Sequence, residues 1–361
     1  MGRSRVVVAM SGGVDSSVTA ALLLREGYEV IGVMMRLWAP GDGENRCCPP
    51  VAVEIARRVA EILGIPFYVL DLRQPFYDKV VSPFIKGYAA GITPNPCLAC
   101  NKFIKFDLLF RKALALEADY LATGHYARIV KADGEYKLLK GIDPAKDQSY
   151  VLYMLTQEHL ARLLFPLGWF TKEKVRSLAR EFGLPTADRE ESQEICFVPG
   201  NDYRDFLRLY APEALRPGPI YDTKGRLLGT HKGLPLYTVG QRFGLGIPYG
   251  KRLYVLDKDV ERNALIVGTM EEQGQRELIA GETNFISGHF PSEPIEVKAR
   301  VRYRAPEKEA VVYPLGEGKV KVVFKEPVIG AAPGQAVVFY RGDELLGGGI
   351  ILRADNGPQS F

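Results

Sequence analysis

Histidine is scarce in this 361-residue sequence: four are present, and none is spaced as HExxH or HxxxH. A histidine-built metal centre is therefore not expected. Cysteine is scarce too. Five cysteines scattered over so long a chain are not a secreted disulfide framework. No apolar run approaches the ~18–20 residues that span a bilayer. The apolar stretch Arg5–Met10 is too short for a signal-peptide core. No membrane association is expected, and the cytoplasm is the expected location. Neither sign of charge dominates: 47 Lys and Arg against 43 Asp and Glu leave +4, which neither proposes nor excludes nucleic acid. Apolar residues at 47% and charged residues at 25% exclude disordered, collagen-like and coiled-coil chains. The length exceeds what one core comfortably fills, so two or three domains are expected.

What is present begins as an alternation of strands and helices. Arg5–Met10, Tyr28–Met35, Phe67–Leu70 and Asp119–Thr123 read as short buried strands. Ser16–Glu26, Val51–Leu63, Lys102–Leu116 and Thr171–Phe182 read as helices; Val51, Ile55, Val59 and Ile62 share one face of the second, and Thr171 can cap the last. This predicts an α/β fold with a parallel sheet, whose ligands bind at the carboxyl ends of the strands. After about residue 200, short strands broken by Gly, Pro and Asp take over. The expected division is 1–200 as an α/β catalytic domain, 201–279 as a small, mostly β central domain, and 280–361 as a C-terminal β-barrel. In that last part Lys298, Arg300, Arg302 and Arg304 alternate with apolar residues, which predicts a strand with four cations on one face. Such a face is either solvated or turned to a polyanion.

Ser11-Gly12-Gly13-Val14-Asp15-Ser16-Ser17 joins the first strand to the first helix. Glycines permit close backbone approach, and a helix N-terminus suits phosphate. Asp15 would repel phosphate unless it holds a Mg²⁺ that bridges the phosphates. No GxxxxGK[ST] is present. SGGVDSS resembles the pyrophosphate loop of the ATP pyrophosphatases, which split ATP between the α and β phosphates and activate an oxygen as an adenylate.

Cys97 and Cys100 form a CxxC after two prolines and before a helix, with Lys102 and Lys105 nearby. Helix start and cations both favour the reactive thiolate. Cys196 lies far off in SQEICF, and Cys47-Cys48 have no assigned role. TPNPCLACNKFIKF, ATGHYAR, KDQSYVLYML, ICF, TVGQRFGLGI, RVRYR, PGQ and GGGII, in this order over nearly the whole chain, resemble the bacterial tRNA-specific 2-thiouridylases.

That resemblance implies ATP-dependent sulfuration of C2 of the wobble uridine in the tRNAs for lysine, glutamate and glutamine. A sulfur relay protein or a cysteine desulfurase would supply the sulfur. Cys196 matches the persulfide cysteine, and Cys100 the nucleophile that pairs with it in a disulfide. Ala9, Met10, Ser11, Gly12, Gly13, Val14, Asp15 and Ser16 would cradle ATP, with Met35 and Gly124 around the adenosine. Asn95, Pro96 and Cys97 would hold the target base. Lys146, Asp147, Gln148, His125, Arg302, Tyr303 and Gln335 would contact or position the tRNA. Arg302 and Tyr303 fall on opposite faces of a regular strand, so a bulge or a strand end is implied there.

The family often has Asp where this chain has Cys97. Cys97, Cys100 and Cys196 could then ligate an iron–sulfur cluster, a minority alternative. Two other readings stay open at this stage: an ATP-pyrophosphatase ligase for a small molecule, and a non-catalytic ATP- and RNA-binding redox protein.

Overall fold

The structure is a computed structural model and describes residues 2–40, 50–189 and 195–355. Cys47 and Cys48 lie outside the described residues.

Strands β1 (Arg5–Met10), β2 (Glu29–Arg36), β3 (Phe67–Asp71) and β4 (Tyr120–Ala122) pair in parallel. A hairpin, β5 (Ala127–Ala132) and β6 (Glu135–Lys140), then leaves this sheet, and the short β7 (Leu163–Leu164) rejoins it. The order is β3-β2-β1-β4-β7. Alternation along β1 explains its double burial. Val6, Val8 and Met10 pack against helices Val14–Arg25, Pro50–Leu63 and Lys172–Glu181, whereas Val7 faces the helix ending at Ala115. Each valine buried this way contributes roughly 1.5–3 kcal/mol. The chain reverses its direction of winding between β1 and β4, which opens the crevice where such sheets bind ligands.

Two helices differ from expectation. On Pro50–Leu63 the buried face is Ala52, Ala56, Val59 and Ala60, while Val51 and Ile62 are exposed. Small side chains bring this helix close to the loop after β1. The helix expected over Lys102–Leu116 begins at Pro96 and runs to Ala115, with a wide π-type stretch over Cys100–Leu109. The CxxC therefore lies inside its first turns, and π segments of this kind cluster at functional sites.

The central domain is a sheet of β8 (Gly218–Asp222), β9 (Leu227–His231), β10 (Tyr254–Asp259) and β11 (Ala264–Gly268) around Ile220, Val255, Leu265 and Val267. The C-terminal barrel comprises β12 (Gln275–Phe285), β13 (Ile295–Arg300), β14 (Lys308–Gly316), β15 (Lys319–Val328), β16 (Ala336–Arg341) and β17 (Glu344–Asp355). It closes through β12–β17 pairing. The expected boundary at 279/280 cuts through β12, so the barrel starts at Gln275. One connection was not foreseen: β6 pairs with β17 through Leu138 and Leu139, which attaches the α/β hairpin to the barrel.

The basic strand is shorter than expected. β13 ends at Arg300, and residues 301–305 turn away. Lys298 and Arg304 are exposed, but Arg300 is drawn inward. It reaches Glu307 at 2.8 Å and Asp147 at 3.4 Å. There is thus no single face of four cations.

Candidate active site

The phosphate loop stands at the carboxyl end of β1, at the edge of the crevice. Gly12 has φ +72°, and a Cβ there would lie 2.5 Å from the Ala52 carbonyl oxygen, so only glycine fits. Gly13 is the N-cap of Val14–Arg25, and no side chain caps the helix. Its first-turn N–H groups therefore lack a side-chain cap, and the one acidic group in that turn is Asp15. The Ser16 hydroxyl accepts from Ser11 N–H at 3.1 Å, and the Ser17 hydroxyl donates to Gly13 O at 2.9 Å. Arg189 donates to Gly12 O at 2.8 Å, bracing the loop from behind. This cradle fits a polyphosphate. Met10 and Val14 are buried in the core, so only their backbones can serve it, and Ala9 and Met35 are half-buried. Gly124, after β4, sits against the loop: a Cβ there would be 3.0 Å from the Asp15 Cβ.

Sequence reasoning missed the partners of Asp15. Its carboxylate accepts from Lys172 Nζ at 2.7 and 2.9 Å and from the Tyr126 hydroxyl at 2.7 Å. Lys172 is buried and stands at the first position of its helix. A cation there opposes the helix dipole. That mismatch is the signal that could have marked it. Gln148 grips the backbone of Tyr126 on both sides, accepting from its N–H at 3.0 Å and donating its own N–H to Tyr126 O at 2.9 Å.

Several residues expected to touch tRNA are occupied within the fold. Asp147 is buried and accepts from Gly141 N–H, Ser149 N–H and the Ser149 hydroxyl. Its carboxylate orders this turn from within the fold; of the three, only Lys146 and Gln148 are half-exposed. His125 is buried between Phe106 and Phe165, with Nδ1 2.6 Å from the Thr123 hydroxyl. Burial holds it well below the usual imidazole range, so it is a neutral packing element and not a surface contact. Gln335 donates to Thr93 O at 2.8 Å, and Thr93 N–H donates to Pro333 O at 2.9 Å. The barrel thus fixes the segment that leads into the CxxC.

Asn95 caps the CxxC helix, its side chain accepting from Cys97 N–H at 3.1 Å, and Pro96 is buried. Cys97 is the exposed member of this trio. Burial first, then the Asp147 carboxylate, push the Tyr303 phenol upward, against the opposing pull of Arg304 and Arg300. Arg302 points elsewhere, to the carbonyls of Gly330 and Val239. The strand does end at Arg300, as expected, but Arg302 is turned to these carbonyls and not to a ligand shared with Tyr303.

Cys100 and Cys196, remote in sequence, are both half-buried and pack on one apolar cluster built from Phe76, Phe84, Phe197 and Phe206. Met35 and Leu70, from the carboxyl ends of β2 and β3, touch that cluster as well. The cysteines therefore lie along the same sheet edge as the phosphate loop. Among the described residues, no group of three His, Cys, Asp or Glu side chains is arranged to hold a metal ion. Cys97, Cys100 and Cys196 form no such group in this structure. No described helix is long and apolar enough to cross a membrane.

Comparison with known proteins agrees with this layout. Residues 4–200 match the family model described as a tRNA methyl transferase HUP domain. Residues 204–269 match its PRC-barrel domain, and 275–351 an aminomethyltransferase beta-barrel domain. The tRNA-specific 2-thiouridylase MnmA of Carboxydothermus hydrogenoformans is 56% identical over 358 residues, covering 97% of this chain and 98% of that protein. The protein of the same name from Moorella thermoacetica is 54% identical over 352 residues, covering 96% and 98%. Among solved structures, the U34-tRNA thiolase NcsA of Methanococcus maripaludis aligns with a TM-score of 0.36 at 19% identity, over 59% of this chain and 67% of that one. With identities above half and coverage near complete in the curated relatives, the chain belongs to the tRNA-specific 2-thiouridylase family.

Proposed function

We propose that the protein replaces the C2 oxygen of the wobble uridine with sulfur in the tRNAs for lysine, glutamate and glutamine, using ATP with Mg²⁺. The observation that carries this reading is the shared sheet edge of the phosphate loop and the Cys100/Cys196 pair. An amide-type carbonyl has no leaving group, and adenylation supplies one. The uridine O2 bonds to the α phosphorus, the α–β bond breaks, and pyrophosphate leaves. Helix N-terminal amides and Lys172 are placed to balance charge on that leaving group.

The terminal sulfur of a Cys196 persulfide then attacks C2, and AMP departs. Cys100 thiolate attacks the inner Cys196 sulfur. The C2 sulfur stays on the base, and a Cys100–Cys196 disulfide forms, to be reduced by a dithiol. The persulfide sulfur would come from a relay protein or a cysteine desulfurase. Exposed Cys97 and half-buried Tyr303 would border the target base. Methyl transfer, suggested by the wording of the family models, would use neither an ATP-cleaving loop nor a thiol pair.

The test is to incubate the protein with ATP, Mg²⁺, sulfide and unmodified glutamate tRNA, then measure 2-thiouridine and pyrophosphate. Both products, each dependent on tRNA, support the reading. Pyrophosphate without tRNA dependence would favour a small-molecule ligase, and neither product would favour a binding protein.

A further inference from the structure

The central-domain loop 238–252 carries Arg242, Lys251 and Arg252 and no acidic residue. At its tip Phe243 is 72% exposed, and the Arg242 guanidinium lies 4.2 Å from the ring centroid. Among the described residues Arg242 joins no ion pair. An exposed aromatic ring backed by a stacked cation is a wide, positively charged π surface.

Hydrogen bonds anchor the start of this loop. Gln241 accepts from Thr238 N–H at 3.1 Å and donates to Phe243 O at 2.8 Å. Gly240 N–H donates to Val255 O at 2.7 Å. Arg302, from the barrel, donates to Val239 O and, at 2.6 Å, to Gly330 O. Gly330 has φ +75°, and the Arg302 guanidinium fills the space where a Cβ would be. On the other side the Tyr203 hydroxyl lies 3.3 Å from the Thr238 hydroxyl and 3.3 Å from Leu236 O. Tyr203 itself packs on the cluster that carries Cys100 and Cys196. The loop is thus anchored between the barrel and the cysteine site.

We propose that Arg242 and Phe243 form a stacking platform for an unpaired tRNA base beside the cysteine site, and that Arg302 is the positioning residue that holds the platform. This rests on the reading of the protein as a tRNA-modifying enzyme. RNA is favoured over a protein partner because every base offers a π face and the loop's charge is of one sign, complementary to a polyanion. Arg302 then influences RNA through the loop, since its Nε and one Nη2 donor are engaged by the Gly330 and Val239 carbonyls.

The test compares binding of full-length unmodified glutamate tRNA, by fluorescence anisotropy across a salt series, with thiolation by the same proteins. Phe243→Ala should weaken binding roughly 5- to 100-fold without changing the salt slope, because base stacking releases no counterions. Phe243→Trp should restore it. Arg242→Ala should lower the slope by about one unit. Arg302→Ala should reproduce the Phe243→Ala loss with an unchanged slope, and the double variant should lose no more than either single one. If Arg302→Ala does not fold, Arg302→Lys keeps the charge but loses the paired donors, and the same comparison applies.

Unchanged affinity in Phe243→Ala, or additive losses with Arg302, would overturn the proposal. So would an Arg302 variant that lowers the salt slope, or a Phe243→Ala defect seen only in transfer from a persulfide donor protein. If the unaltered protein neither binds nor thiolates tRNA, the function itself fails, and the two failures are told apart.

Discussion

Lys172 Nζ and the Asp15 carboxylate meet at 2.7 and 2.9 Å although 157 residues separate them in sequence. The lysine is one-tenth exposed and the aspartate one-third. The pair ties the helix after Thr171 to the phosphate loop and holds a positive charge beside that loop. A Mg²⁺ arriving with ATP would compete with the Lys172 ammonium for the Asp15 carboxylate.

Lys172→Met should cost about 1–2 kcal/mol of stability, less than the ~3–5 of a fully buried pair, because Asp15 keeps some solvent. Its larger effect should be on pyrophosphate release, read in single-turnover assays with saturating ATP. A variant that lost stability but released pyrophosphate at the normal rate would confine Lys172 to a structural role.

Gly12→Ala should be worse for ATP than for folding. The added methyl meets the Ala52 carbonyl at 2.5 Å, and the backbone is held at φ +72°. The loop must shift to relieve this, at about 1–3 kcal/mol. Isothermal titration with a non-hydrolysable ATP analogue should show at least tenfold weaker binding.

Cys196→Ser and Cys100→Ser should separate the two half-reactions. Both keep the phosphate loop intact, so tRNA-dependent pyrophosphate release should persist. 2-Thiouridine formed from a persulfide donor should vanish in the first and fall below one turnover in the second. Full turnover in Cys100→Ser would remove it from the exchange.

Acid sensitivity should trace partly to His125. Its folded-state pKa is held well below the usual value by burial, so it stays neutral in the fold while the unfolded chain protonates near 6.5. Its contribution is whole above that pH and is lost progressively as pH falls from about 6.5 toward the folded value. Denaturation midpoints measured from pH 8 to 5 should decline, and His125→Phe should flatten the decline. His231, also lowered by burial, leaves a residual slope.

The parallel sheet was legible because its strands are dense in β-branched residues and its helices carry clear stops such as Gly27 and Gly183. The phosphate loop was legible because glycine and serine at a strand–helix junction have few other uses. The outcome for Asp147, His125 and Arg302 was not legible. Their side chains are consumed by partners that only the folded chain supplies: Ser149, the Phe106/Phe165 pair, and the Val239 and Gly330 carbonyls. Alternation along 297–304 misled for a related reason. Period two shows which residues could share a face, but not that the strand stops at Arg300, where ion pairs with Glu307 and Asp147 draw the chain inward.

The pairing of Leu138 and Leu139 with Leu345 and Glu344 makes one sheet out of two stretches of chain that a domain boundary would separate. Cutting the protein after residue 200 would strip that partner from β6. Its backbone donors and acceptors would become a raw edge, ready to recruit strands from other molecules. An isolated N-terminal fragment should therefore self-associate, and fusing β17 behind it should restore solubility more effectively than adding charge elsewhere.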